Sequence, residues 1–88
     1  MQGKRIYCQP GEIFPDDIKP GDYWRDNDGL WMVCPPVDGV GLDLIGCIQK
    51  HTITEHEDKT ITVSPSILIS NGKGSYHGFL VKGEWRDC

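Results

Sequence analysis

Eleven glycines and six prolines punctuate these 88 residues, and no stretch longer than about ten residues keeps a helical 3.6-residue period free of such breakers and of polar interruptions. Glycine costs a helix backbone entropy, and proline removes an amide and clashes with the preceding turn, so the chain has little room for helix. What survives between the breakers are short runs of β-branched and aromatic residues, the composition of strands. The pattern predicts a small single-domain all-β protein: a sandwich or partly open barrel of antiparallel hairpins with little or no helix.

Three hairpins can be placed from turn chemistry. Tyr23-Trp24-Arg25 and Leu30-Trp31-Met32-Val33 flank Asp26-Asn27-Asp28-Gly29, whose Asp-Gly pair tolerates positive φ. Thr52-Ile53-Thr54 and Thr60-Ile61-Thr62-Val63 alternate polar with β-branched residues around Glu57-Asp58-Lys59. Gly78-Phe79-Leu80-Val81 and Glu84-Trp85-Arg86 flank Lys82-Gly83. A further strand is expected over Leu42 to Ile48, and an edge pairing over Lys4 to Tyr7. Pro65 is expected to end its strand, because proline gives the ladder no amide. Residues 1–21, with Pro10-Gly11, Pro15 and Pro20-Gly21, read as an extended N-terminal arm with one helical turn near Pro15–Ile18; residues 22–88 read as the β domain.

The formal net charge of −4 argues against nucleic-acid binding, which depends on clustered lysine and arginine displacing counterions. No apolar run is long enough to span a membrane, and Lys4-Arg5 is not followed by the apolar core of a secretory signal. A cytoplasmic location is therefore expected, with the cysteines as thiols or metal ligands rather than disulfides. A chain this short buries little core, so a metal or a homo-oligomer would help it.

Four cysteines and three histidines supply enough donors for a tetrahedral zinc site, although no Cys-x2-Cys pair is present. Cys34, Cys47, His77 and Cys88 could converge from strand ends to form one. Ser70-Asn71-Gly72-Lys73-Gly74-Ser75 reads as a loop whose amides and Lys73 could hold an anion, with Tyr76, His77 and Trp85 nearby to stack on a base. Those four residues, Lys73, Tyr76, His77 and Trp85, are the expected ligand- or partner-binding set. Ser64-Pro65-Ser66 and His77 offer a hydroxyl and an imidazole, but with no nucleophile-elbow pattern and no acid partner that can be named. No catalytic residue is assigned.

Thr62-Val63-Ser64-Pro65-Ser66-Ile67, then Tyr76-His77-Gly78 and the closing Gly83-Glu84-Trp85, resemble the end of a family of small, mostly uncharacterised tailed-phage and prophage proteins, often labelled ammonia monooxygenase. The resemblance covers roughly Asp28 to Cys88. It departs from the family where Val37 or a neighbour stands in place of the second cysteine of a Cys-Pro-x-Cys knuckle, and where Tyr76 rather than a cysteine precedes His77. The resemblance implies a viral (bacteriophage) protein expressed in a bacterial cytoplasm; a small acidic protein of that origin is expected to bind and inhibit a host component, such as a defence protein, and the residues themselves give catalysis little support. Two alternatives stand beside it: a sponge for a nucleotide-derived signal, and a small metal-dependent hydrolase using Cys34, His77 and a carboxylate.

Overall fold

The computed structural model describes residues 1–37, 44–72 and 74–88. Among the described residues there are eight strands and no α-helix: β1 (Lys4–Arg5), β2 (Asp22–Arg25), β3 (Trp31–Val33), β4 (Gly46–Cys47), β5 (Thr52–Glu55), β6 (Ile61–Asn71), β7 (Gly74–Val81) and β8 (Glu84–Asp87). They form two four-stranded sheets, ordered β1-β2-β3-β4 and β5-β6-β7-β8. β1 runs parallel to β2; the other pairings are antiparallel. The protein is thus all-β, with two separate sheets and no closed barrel. No helix among the described residues is long and apolar enough to cross a membrane.

The three turns explain the three hairpins. Asp26 to Gly29 closes with the Gly29 amide donating to the Asp26 carbonyl, and Gly29 takes a positive φ of 84°. In the second turn Lys59 occupies the left-handed region (φ 74°), and its amide donates to the His56 carbonyl. In the third, Lys82 and Gly83 are both left-handed (φ 48° and 77°) between the paired Val81 and Glu84. That two-residue geometry matches the right-handed twist of the flanking strands.

Period-two alternation then builds the core. Ile61, Val63 and Ile67 of β6, Tyr76 and Leu80 of β7 and Trp85 of β8 face Tyr23, Trp31 and Val33 of the first sheet, with Leu44 and Ile48 completing the cluster. Trp24, next to Tyr23, must point to the opposite side of its sheet. It is nonetheless fully buried, with the Phe14 ring edge-on at 6.3 Å. Residues 9–21 thus run close to the outer side of the first sheet. The turn there falls at Asp16-Asp17, with Asp17 left-handed at φ 57°, and no helical turn forms.

Residues 1–5 join the two sheets. Gln2 bridges to Glu84, the Trp85 amide donates to the Met1 carbonyl (2.7 Å), and two residues later β1 pairs with β2. Arg5 then reaches back across. Its guanidinium lies 4.7 Å from the Trp31 ring and 5.1 Å from the Tyr7 ring, and Nη1 donates to the Glu55 carboxylate at 2.8 Å. That donated hydrogen bond holds the Glu55 carboxyl below its ordinary range.

Two further expectations need correcting. The strand expected over Leu42 to Ile48 is reduced to Gly46–Cys47, and Leu42 and Asp43 lie outside the described residues. Pro65 does not end its strand. β6 continues through it to Asn71, because the register against β7 shifts between Val63 and Ile67. Such a bulge leaves the proline without a ladder bond to supply. The Ser64–Pro65 peptide is cis.

Candidate functional site on the outer face of the second sheet

Along β7, Tyr76, Gly78 and Leu80 are buried while Ser75, His77 and Phe79 are exposed. His77 therefore stands on the outer face, opposite Leu68 of β6, and Phe79, the next outward residue, follows two positions along the same strand. Ser66 Oγ is 3.0 Å from His77 Nε2, and Cys88 Sγ is 3.7 Å from the same nitrogen. The Cys88 amide donates to the His77 carbonyl at 3.1 Å, which aligns the end of the chain with β7. Beside this polar group, Leu68 is 66% exposed and Phe79 39% exposed. Arg86 lies across from Phe79 and pairs with Glu84 at 2.8 Å.

The expected binding set is divided by this geometry. His77 faces outward, but Tyr76 and Trp85 are only 6% and 3% exposed and meet edge-to-face at 5.3 Å inside the sandwich. Trp85 Nε1 donates to the Gly21 carbonyl at 2.8 Å, a tie between the sheets. Lys73 lies outside the described residues. The loop expected over Ser70–Ser75 is shorter than its composition suggested, since Ser70 pairs with Ser75 and Asn71 with Gly74. Adjacent strand residues point to opposite faces, so Tyr76 and His77 cannot serve one ligand on one surface. The outward residues that sequence reasoning passed over are Leu68 and Phe79; alternation counted from Leu80 would have found Phe79, whereas Leu68 lies on β6 beyond the register shift and is set outward by its pairing with His77.

The expected zinc ligands are also separated. Cys34 is fully buried behind the first sheet; burial, and after it the charge of Asp22, pushes its thiol up to about 11. Cys47 is exposed on β4. Only His77 and Cys88 meet, and their 3.7 Å separation is close to the edge of a tetrahedron with Zn–N and Zn–S bonds of about 2.1 and 2.3 Å. The pair could supply two of four ligands. No group of three or more metal-binding side chains occurs among the described residues. Cys34 and His77 are likewise not assembled into a hydrolytic pair. Ser66 and His77 do come together, yet among the described residues no carboxylate is recorded on the imidazole to orient it as a base. His51 and His56 have structural contacts, with Nε2 of His51 3.1 Å from the Ser66 carbonyl and Nε2 of His56 2.7 Å from Thr62 Oγ1.

The main groove lies elsewhere. It has a volume of about 700 Å3, with Phe14, Ile18, Met32 and Ile45 as its apolar lining and Asp16 and Asp17 beside them. Among the described residues no cation lines it, so it offers a nucleotide phosphate repulsion rather than a cradle. No family model, no curated protein and no solved structure matches this chain.

Proposed function

We propose that this chain is a binding protein that recognises another protein through the outer face of the second sheet, without catalysis. The observation that carries the reading is the exposure of Leu68 and Phe79 on adjacent strands of an open face, around His77, while the remaining aromatics of that sheet are buried. An exposed sheet face of mixed apolar and polar side chains suits a protein surface, whereas small ligands are held in concave sites. Following the sequence resemblance, the partner is a host component in a bacterial cytoplasm, such as a defence protein. The nucleotide-sponge alternative has less support, since the aromatics it needs point inward and the main groove is acidic.

The test is recovery of what binds the purified protein in a bacterial lysate, compared with the double variant Leu68→Ser, Phe79→Ser. A protein partner retained by the original chain and lost by the variant supports the reading. With the partner in hand, Phe79→Ala alone is expected to weaken binding about tenfold, the effect of a central apolar anchor. Equal retention by both chains overturns the assignment of the face. A nucleotide released on denaturation, with no protein partner, would favour the sponge instead.

A further inference from the structure

The outer-edge hydrogen bonds of β6 run out before the strand does. β5 pairs with β6 only over Ile61 to Ser64, while β7 continues to pair with it as far as Asn71. The phase of the ladder is fixed by the Cys88 amide donating to the His77 carbonyl, which turns the peptide groups of His77 toward β8. Leu68, directly opposite His77, must then turn its own N–H and C=O away from β7, and Ser70 does the same. Ser66 has this phase too, and its carbonyl is met by His51 Nε2 at 3.1 Å. Beyond it, among the described residues, the backbone groups of Leu68 and Ser70 have no strand beside them, and both residues are exposed.

We propose that this edge pairs with the same edge of a second copy of the chain, making a two-fold antiparallel dimer. In that arrangement Ile69 lies on the axis, and Leu68 of each copy faces Ser70 of the other. The two residues are symmetric about Ile69, so every outward N–H and C=O of the four residues gains a partner, and the two second sheets become one. Charge selects this edge for self-pairing. Two copies with net charge −4 repel, but Ser64 to Gly72 are nine consecutive residues without an ionisable side chain. The other edges are less suited. That of β8 is occupied by Met1 and Gln2, that of β5 carries Glu55 in its ion pair, that of β1 carries Lys4 and Arg5, and β4 is two residues long. Natural sheets protect their edges by these same devices, cover, charge and shortness.

The contact is smaller than the roughly 1,200 Å² of a stable interface, so association in the high micromolar range is expected. Sedimentation equilibrium and residue-resolved amide exchange over about a hundredfold concentration range read it directly. The expected result is a monomer–dimer equilibrium in which the Leu68 and Ser70 amides slow by about tenfold or more as the dimer fills, while Ile67 and Ile69 are protected throughout. Ser70→Pro removes one outward amide without touching the β6–β7 ladder, and Ser70→Lys places a charge beside the axis; both should remain monomeric with the thermal midpoint little changed. If the proline variant fails to fold, the lysine variant and the exchange pattern of the original chain decide. A chain that stays monomeric at the highest concentration overturns the proposal, as does a dimer whose Leu68 and Ser70 amides exchange as fast as in the monomer. Protection that appears only on adding a different protein overturns self-pairing and assigns the edge to a heterologous strand. Loss of partner binding in Leu68→Ser, Phe79→Ser leaves these readouts independent, because serine keeps the backbone groups of residue 68.

Discussion

Tyr76 and Cys34 are buried acids whose ordinary titration is blocked by the fold. Burial, and after it the neighbouring Asp87 carboxylate, pushes the Tyr76 phenol up to about 12, while Cys34 is pushed up to about 11. Both groups stay protonated in the folded chain over a range in which the unfolded chain, with values near 10 and 9, releases its protons. The stability this represents is complete below about pH 9 and is lost as pH rises toward 12, at up to about 1.4 kcal/mol per pH unit for each group. Denaturant midpoints measured from pH 8 to 11 should therefore fall, and Tyr76→Phe should flatten the part above pH 10. A flat profile in the original chain would refute the assignment. At this scale the sequence was only partly legible. It marked Tyr76, His77 and Trp85 as neighbours worth attention, but proximity along a strand is not proximity on a face, and only His77 reaches the outside. The contact between Ser66 and His77 joins residues eleven apart, and it depends on a register shift that no periodicity reveals.

Hairpins were the legible elements, because their turns are set by a few residues with strong φ preferences. Asp28-Gly29, the Glu57–Lys59 turn and Lys82-Gly83 all lie where turn chemistry placed them. Pro65 was misleading for a physical reason: a bulge lets a proline sit inside a long strand, and bulges depend on the partner strand rather than on local sequence. The third hairpin also contains a local conflict. Lys82 holds φ at 48°, a region in which asparagine is far more at home than lysine, and Asn-Gly is the preferred pair for such a turn. Lys82→Asn should stabilise the protein by about 0.5 kcal/mol, or roughly 2–4 °C in thermal midpoint. The hydrogen bond from the residue 82 amide to Thr62 Oγ1 (3.0 Å) is retained, since it uses only backbone. An unchanged or lower midpoint on differential scanning calorimetry would show that the lysine side chain contributes something the turn geometry does not capture.

For the whole molecule, the junction at Gly3 decides whether the two sheets behave as one unit. The chain passes there from the edge of β8 to the edge of β2, with the Gly3 amide donating to the Gly83 carbonyl at 2.7 Å. A Cβ on residue 3 would lie 2.5 Å from the Gly21 carbonyl oxygen and 2.7 Å from Trp85 Nε1, two atoms already joined by the hydrogen bond between the sheets. One partner is backbone and the other a buried indole, so neither can move aside without loosening the core. Gly3→Ala is expected to cost about 2 kcal/mol, within the range for overpacking and for loss of a buried hydrogen bond. The more telling measurement is cooperativity. In the original chain, tryptophan fluorescence reports chiefly on Trp24 and Trp31 of the first sheet and Trp85 of the second, and far-ultraviolet dichroism reports on both sheets, so the two transitions should coincide. In Gly3→Ala they should move to lower denaturant together if the shared core alone couples the sheets, and separate if residues 1–5 are the coupling. The continuous hydrogen bonding through Met1, Gln2 and Gly3 into β1 makes separation the expected outcome, and coincident transitions in the variant would assign the coupling to the core instead.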